Sequence, residues 1–543
     1  MIILDGDTEQ LPKLADPAPT YAPVNRCTTP TSSLPDYDAS EAQLLELKKE
    51  SWSKWNRRRP VSRCWRILVI FLLIYTFLTM AIGIPLLVVK LRHHPPIPPP
   101  SIWNPQQASV IIIPSSELVN APPEYNPDDC DKWSTVDQPS WGSLASRYSL
   151  TTTSHRAALT PLSSLNYSIP VSGSVFFGSN ASFNADSDAS SSFHGNLLVD
   201  VNDDSSAVDI QIFVNMSYTD RSIRNRTHVC NLDSGQTTGL YIYVPNDLDK
   251  RDKLGFDIKV LLPQPNSKSN FSNFATMLPM FQQHYGNLSP KIQFEQIFLG
   301  GPMSTVVADS VSAENLVVMS SPGNISGSFE ASYQLVLETM SASIDADIVM
   351  TADGDFAQPT IRLNTGNGPI DASISLVTRE CKGKLPMYYI DANTFSAPLT
   401  LSVSQSSLPS PSPSSSSSTA VPVFVHAGNN LGETRVYMDE HYEGTFIVQT
   451  EYAGVLVSDT CPGSMGVAGT DSLSSNSSFA KLLPDSVTDG FGRTLFYDNI
   501  SDSAVSGWVG RGKRPKTIKT SGAPGCVEVN SVLSHVQLEL GSS

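Results

Sequence analysis

From about residue 200 onward, apolar residues occupy every second position in many short segments, and this alternation restricts the fold more than any other feature. Residues 208–214 read VDIQIFV, residues 256–262 read FDIKVLL and residues 370–376 read IDASISL. Strict alternation over four to eight residues is typical of β-strands with one buried face. Turn-forming clusters such as NTGNG at 364–368 separate these segments. No long amphipathic helical pattern is evident beyond Cys130, so we predict that this part of the chain is all-β.

Several of the predicted strands also resemble one another in the order apolar, small, apolar. They are Leu316–Met319, Ile325–Phe329, Leu335–Thr339, Ile344–Val349 and Ile370–Leu376. Weak self-similarity with a period of roughly 20–26 residues favours stacked turns of a β-solenoid. A two-sheet β-sandwich has the same alternation and remains the alternative.

The composition excludes several classes of protein. Charged residues make up 16% of the 543 residues, compared with about 25% in a typical soluble domain. This low fraction argues against a coiled coil and against a charge-rich disordered chain. The net charge of −16 argues against a nucleic-acid partner, which would need a basic surface.

Residues 67–89 form an uncharged apolar segment, ILVIFLLIYTFLTMAIGIPLLVV. As a helix it would be roughly 35 Å long, which is enough to cross a hydrocarbon core of about 30 Å. Its N-terminal flank carries Lys48, Lys49, Lys54, Arg57, Arg58, Arg59, Arg63 and Arg66. The positive-inside rule then predicts a single-pass type II membrane protein with a cytosolic N-terminus and an extracellular or lumenal C-terminal region, in the plasma membrane or the secretory pathway. The predicted fold class is therefore an all-β ectodomain, β-solenoid-like or alternatively a β-sandwich, on a single transmembrane helix with a disordered N-terminal tail.

Acceptor sequences for N-glycosylation occur only after this apolar segment. They are Asn166, Asn180, Asn215, Asn225, Asn270, Asn287, Asn324, Asn476 and Asn499. Each motif is weak by itself, but their one-sided distribution agrees with the orientation predicted from charge. We therefore expect a glycoprotein.

The cysteines divide between the two predicted sides of the membrane. Cys64 lies among basic residues just before the apolar segment and is a candidate for lipidation. The disulfide candidates on the exterior side are Cys130, Cys230, Cys381, Cys461 and Cys526. Because five is an odd number, at most two disulfides can form within one chain, and the sequence leaves their pairing open.

Composition and pattern divide the chain into seven regions. These are a cytosolic disordered tail with a short basic helix (1–66), the transmembrane helix (67–89), a Pro-rich stalk (90–127), a first β-rich region (128–288), solenoid-like repeats (289–403), a Ser/Pro low-complexity loop (404–420) and a C-terminal β-rich region (421–543).

Two stretches of the sequence resemble known repeats. Residues 317–329 (VVMSSPGNISGSF), with the alternating strands up to residue 376, resemble the rungs of bacterial "putative adhesin" repeats. Residues 432–457 (GETRVYMDEHYEGTFIVQTEYAGVLV) and 489–499 (DGFGRTLFYDN) resemble a fungal domain-of-unknown-function family of membrane-anchored proteins with the same rungs. The resemblance covers roughly residues 290–543. It implies a β-solenoid-like fold and carries no established activity and no catalytic residues.

Motifs for catalysis or cofactor binding are incomplete. Residues 507–513 have the spacing of a P-loop, but Arg514 stands where a magnesium-binding Ser or Thr is needed. Asp200, Asn202 and Asp204 have the opening spacing of a calcium loop, but Ser205 replaces its glycine. We therefore predict no catalytic, cofactor-binding or metal-binding residues, and no cofactor.

Acidic residues near 350 raise one enzymatic alternative. Asp345 and Asp347 would share one strand face about 7 Å apart, and Asp353 and Asp355 follow them closely. Paired carboxylates of this kind cleave glycosidic bonds in polysaccharide-acting enzymes. In most β-rich proteins such residues only form a solvated face.

The function favoured by the sequence is a non-enzymatic type II surface glycoprotein with an adhesin-like, structural or cell-wall-contacting ectodomain. Its expected partners are the membrane and an extracellular polysaccharide or protein, with no nucleic acid. The alternative is a polysaccharide-acting hydrolase or lyase on the same scaffold, and a third hypothesis is a sensor that signals through its basic tail.

Overall fold

The structure, a computed structural model, describes Cys130, Ser134, Thr135 and most of residues 162–541, all within the unit that spans residues 100–543. Within 162–541 the residues left out are 172, 182–192, 234–236, 249–250, 265–267, 353–357, 380–384, 408–419, 460–466, 469–485, 489–491, 512–513 and 515–524.

The described residues form strands almost throughout. The N-terminal part contains β1 (Ser134–Thr135), β2 (Leu162–Pro170), β3 (Ser174–Ser179), β4 (Phe193–Val201), β5 (Asp209–Tyr218), helix α1 (Arg221–Arg226), β6 (His228–Asp233), β7 (Thr237–Tyr243) and β8 (Leu254–Leu262). The central part contains β9 (Ser269–Met277), β10 (Phe281–Asn287), β11 (Ile292–Pro302), β12 (Thr305–Ser321), β13 (Ile325–Thr339), β14 (Ile344–Ala352), β15 (Thr360–Thr365), β16 (Ile370–Thr378), β17 (Tyr388–Thr394) and β18 (Leu399–Ser407). The C-terminal part contains β19 (Val423–Asn429), β20 (Thr434–Met438), β21 (Gly444–Thr450), β22 (Val455–Asp459), β23 (Val467–Ala468), β24 (Ser486–Thr488), β25 (Thr494–Ile500), β26 (Ala504–Gly510), β27 (Gly525–Ser531) and β28 (Val536–Leu540).

The central strands form two parallel sheets, and each turn of the chain, here called a rung, adds one strand to each sheet. Sheet A contains β10, the first halves of β12 and β13, then β14, β16, β18 and β20. Sheet B contains β9, β11, the second halves of β12 and β13, then β15, β17 and β19. Parallel pairing of successive rungs is the arrangement of a β-solenoid, whereas a sandwich built from hairpins is antiparallel. The all-β prediction is confirmed.

Alternation along each strand places the core between the two sheets. In sheet A, Ile325, Ile344, Ile370 and Leu399 follow one another in register on neighbouring strands, and all four are buried. The hydrophobic core built in this way is continuous from Leu165 to Leu540. Burial of such aliphatic side chains contributes about 1.5–3 kcal/mol each, so the core is the main source of stability.

A row of buried polar side chains fixes the corner where sheet B leads into sheet A. The row lies at or next to the ends of the sheet B strands and consists of Ser320, Thr339, Thr365, Thr394, Asn429, Ser531 and Thr450. Thr365 Oγ1 donates to the carbonyl of Ala342 at 3.2 Å, and Thr394 Oγ1 donates to that of Gly368 at 3.1 Å. Both threonines therefore satisfy a turn carbonyl of the preceding rung, as buried backbone groups require.

At both ends of the solenoid, one rung is out of chain order. The β3–β4 rung lies between the β7–β8 and β9–β10 rungs. The β27–β28 rung lies between the β19–β20 and β21–β22 rungs. Antiparallel strands cover the outermost rungs, with β5, β2 and β6 at one end and β26, β25 and β23 at the other. Such caps protect sheet edges from pairing with other chains.

The predicted fold class is wrong in its helical element. The only helix among the described residues is α1, with six residues, and a transmembrane helix needs about 20. The described part of the chain therefore contains no helix that is long and apolar enough to cross a membrane. The predicted segment 67–89, the tail 1–66 and the stalk 90–127 lie outside the described residues. The fold class of the described residues is an all-β solenoid with antiparallel strands at both ends.

Candidate functional site: a polar groove at one corner

The described surface contains an open groove of about 340 Å³ where sheet A continues into sheet B. Strands β12 and β13 run through both sheets, and the groove follows their bend. It is lined by Lys268, Asn270, Gln293, Glu295, Ser312, Ala313, Glu314, Glu330, Ala331, Ser332, Thr351 and Arg379. These residues come from several consecutive rungs, so the groove runs across the strands.

The register of neighbouring strands brings the polar residues of the groove together. Asn270 on β9 pairs with Gln293 on β11, and Ser312 on β12 pairs with Glu330 on β13. Phe294 pairs with Ala313 and Gln296 with Asn315, so the residues between them, Glu295 and Glu314, stand opposite each other. Neighbouring strands lie about 4.8 Å apart, so the groove presents hydrogen-bonding groups at regular, short intervals.

An irregularity in β13 shapes the rim of the groove. The register between β12 and β13 shifts between Ala313 and Asn315, where β13 has one extra residue. Bulges of this kind re-aim the neighbouring side chains. Ser332 therefore reaches the groove, and the next residue, Tyr333, is 47% exposed. The groove surface combines hydroxyl, amide and carboxylate groups.

The charges of the groove are mixed. Three carboxylates, Glu295, Glu314 and Glu330, face two cationic side chains, Lys268 and Arg379. With all five ionised, the formal charge is −1. Glu295 and Glu314 are exposed, and Glu330 is half-buried. Among the described residues, no group of three His, Cys, Asp or Glu side chains is arranged to hold a metal ion.

The carboxylate pair singled out in the sequence lies outside the groove. Asp345 and Asp347 are exposed on the outer side of β14, where Asp345 pairs in register with Asp371. The groove receives only Thr351 from β14, which lies toward the other end of that strand. Asp353 and Asp355 lie outside the described residues.

The two incomplete motifs have structural roles. Asn202 Oδ1 accepts a hydrogen bond from the Asp204 amide at 3.0 Å. Asp204 Oδ1 accepts from the Ser206 hydroxyl and amide, and these bonds lower the pKa of Asp204. Asp200 Oδ1 accepts from the Val201 amide, so the acidic segment stabilises a turn. Gly507 lies in β26, which pairs with β21 and β25 in the C-terminal cap.

The structure describes three of the five disulfide candidates. Cys130 and Cys230 form a disulfide. Cys526 is a buried free thiol, and burial raises its pKa. Cys64, Cys381 and Cys461 lie outside the described residues.

Most of the predicted N-glycosylation sites that the structure describes are exposed. The exposed ones are Asn166, Asn225, Asn270, Asn287, Asn324 and Asn499. Asn215 is half-buried. Asn180 is also half-buried, and its amide group bonds to the backbone of Val244 through both Nδ2 and Oδ1. Asn476 lies outside the described residues. Asn270 alone among these sites lines the groove.

No family model and no curated protein matches the chain. Solved structures to which it is similar include a "putative cell adhesion protein" from Clostridium sporogenes, with 8% identity, a TM-score of 0.14, and coverage of 70% of this chain and 100% of that one. A "putative adhesin" from Bacteroides fragilis has 13% identity and a TM-score of 0.22, with coverage of 52% and 90%. Another from Parabacteroides distasonis has 9% identity and a TM-score of 0.19, with coverage of 51% and 92%. Similarity at this level supports no inference about the function of this chain.

Proposed function

We propose that the protein is a non-enzymatic, adhesin-like glycoprotein of the cell exterior or secretory lumen, and that its corner groove binds saccharide. The observation that carries the proposal is the groove itself, where amide, hydroxyl and charged side chains from consecutive rungs line one open surface. Sugars offer hydroxyl groups that exchange hydrogen bonds with such side chains. The net negative charge of the groove favours the binding of neutral or amine-bearing sugars over that of uronic acids.

The location outside the cytosol is supported by two features. The Cys130–Cys230 disulfide is of a kind that persists in oxidising compartments. Six acceptor asparagines are exposed, which N-glycosylation requires. A glycosylated exterior would suit a protein that contacts polysaccharide or other cell-surface proteins.

A polysaccharide-cleaving activity is the second candidate, and the opposed carboxylates Glu295 and Glu314 favour it. Glycosidases need two carboxyl groups in different environments, one as acid and one as base or nucleophile. Here both side chains are exposed to water, which provides no such difference. This environment favours binding without cleavage.

The test uses the full chain produced in a bacterial periplasm, where disulfides form but N-glycans are not added. Binding is measured to a neutral glucan, a chitin oligosaccharide, an amine-bearing glycan and a polyuronate. We expect E314Q/E330Q to weaken binding about tenfold, which corresponds to about 1.4 kcal/mol. The control D345N/D347N changes two exposed carboxylates outside the groove and should leave affinity within twofold.

Loss of binding in the control with full binding in the groove variant would overturn the proposal. The same samples are followed for release of new reducing ends. If the wild type releases reducing ends and E295Q or E314Q does not, the protein cleaves polysaccharide and the enzymatic alternative is established.

A further inference from the structure

We infer that an N-glycan on Asn270 lies in the corner groove and controls access to it. The inference rests on the proposed function, since it assumes the glycosylating compartment and assigns a regulator to the same groove. Asn270, Phe271 and Ser272 form the acceptor sequence. Among the described acceptor asparagines, Asn270 is the one whose side chain lines the groove.

The strand that carries the acceptor is held in a fixed orientation. Asn270 is the second residue of β9, and its neighbour Phe271 is buried, with its ring 5.6 Å from that of Phe294. Alternation along the strand then turns Asn270 and Ser272 outward, and both are exposed. A glycan joined to the Asn270 amide nitrogen therefore begins inside the groove.

The groove has suitable chemistry for the first sugars of such a glycan. Those sugars carry hydroxyl and acetamido groups, which exchange hydrogen bonds with amide, carboxylate and hydroxyl side chains. Gln293 is paired in register with Asn270, and Glu295 and Ser312 line the same groove. The volume of about 340 Å³ is at the small end of ligand pockets, so the proximal sugars alone would fill it.

Attachment also favours the chain's own glycan over any free saccharide. A tethered ligand has an effective concentration in the millimolar range or above. A free polysaccharide of similar intrinsic affinity would be excluded wherever Asn270 is glycosylated, as long as its concentration stays below this value. The fraction of chains without this glycan would then set the number of groove sites open to external ligands.

The experiment compares the full chain with N270Q, S272A and the control N499Q, all made in a glycosylating eukaryotic host. Ser272 and Asn499 are exposed, so none of the changes removes a core side chain. Site-specific mass spectrometry gives the occupancy of each asparagine. Endoglycosidase release from the native protein then measures how accessible the Asn270 glycan is relative to the Asn499 glycan.

We expect release from Asn270 at least tenfold slower than release from Asn499, with equal rates after unfolding. E314Q, which changes the groove but leaves the acceptor sequence intact, should accelerate release from Asn270. N270Q and S272A should bind the preferred polysaccharide at least tenfold more tightly than the glycosylated wild type, and N499Q should not.

An unoccupied Asn270, or release as fast as at Asn499, overturns the inference. Slow release together with no polysaccharide binding by any variant supports the docked glycan and overturns the proposed function. The two ideas therefore fail in distinguishable ways.

Discussion

At the N-terminal end of the solenoid, the β3–β4 rung separates two rungs that are consecutive in the chain, and at the C-terminal end the β27–β28 rung does the same. The strand arrangement is thus repeated, but the chemistry that holds it differs. At the N-terminal end, strand β6 is tied by the Cys130–Cys230 disulfide. The two cysteines are separated by 100 positions in the sequence, so the link joins the cap to a distant part of the chain.

At the C-terminal end, buried polar groups fix the connection from β20 to β21. Residues 439–443 form this connection, which crosses the inserted rung. Arg493 is fully buried, and its Nη1 donates to the carbonyls of Asp439 and Tyr442, both at 3.2 Å. The Tyr442 hydroxyl donates to the carbonyl of Thr445 at 2.6 Å. Burial raises the pKa of Asp439.

We call each inserted rung, together with the interactions that hold it, a closure. The N-terminal and C-terminal closures are stable under different conditions. The N-terminal closure depends on an oxidising environment, whereas the contacts described at the C-terminal end depend on packing and hydrogen bonds. The same strand arrangement is therefore stabilised by a disulfide at one end and by packing and hydrogen bonds at the other. A mutation can remove either interaction without changing the other.

Deleting residues 525–543 should have the largest effect, because it removes the inserted C-terminal rung. The side chains lost from the core are Val527, Val529, Val536, Leu538 and Leu540, all nearly inaccessible. At about 1.5–3 kcal/mol each, they account for about 8–15 kcal/mol, which is comparable to the whole stability of a typical domain. We expect an unfolded or protease-sensitive C-terminal end, measured by limited proteolysis.

A melting temperature within a few degrees of wild type would contradict this expectation. That result would mean that β21–β22 pairs directly with β19–β20. The register allows this pairing, because Val425 and Phe446 both lie opposite Val527.

Removing the disulfide should have the next largest effect and should act at the other end. For C130S/C230S we expect a loss of about 4–5 kcal/mol, the chain-entropy value for a closed loop of about 100 residues. Urea unfolding measures the change, and a reducing agent should reproduce it in the wild type. Equal stability of oxidised and reduced protein would show that the N-terminal closure needs no covalent support.

Replacing Arg493 with Met should have the smallest effect of the three and should be confined to the C-terminal end. The Asp439 carbonyl still accepts from the Tyr442 amide at 3.3 Å, so the change removes this donor mainly from the Tyr442 carbonyl, and we expect a loss of about 1–3 kcal/mol. Hydrogen exchange should become faster in β21 and β27 and stay unchanged in β3 and β7.

The matched control for this experiment is R435M. Arg435 is exposed and pairs with Glu433 at 2.8 Å, and surface pairs of this kind contribute little. Faster exchange at the N-terminal end in R493M would show that the two closures are coupled.

The sequence predicted local structure well because alternation is a local property. Residues 209–214 and 370–376 lie in strands whose alternate apolar residues are buried, whereas Val208 precedes β5 and is 77% exposed. Rung order could not be read from the sequence, because β27 pairs with β19 across nearly a hundred residues and no local pattern encodes that choice.

The candidate site shows the same limit. Gln293 with Glu295 and Glu330 with Ser332 each occupy alternate positions, which is the pattern of outward-facing polar pairs, whereas Ser312 beside Glu314 is almost inaccessible. Only the register places them in one groove. Asp345 and Asp347 share the exposed face of β14, but they do not line the corner groove.

The inserted rungs also determine where a protein of this design can change its length. Adding or removing a turn near either end would disrupt a closure, because chain order and spatial order differ there. Between β11 and β18 the two orders coincide, and the sheet B to sheet A connections after β13, β15 and β17 have four residues each. A duplicated turn in this interval would lengthen the molecule by about 4.8 Å and leave both ends intact. The length of the solenoid can therefore change by one rung at a time within this middle interval.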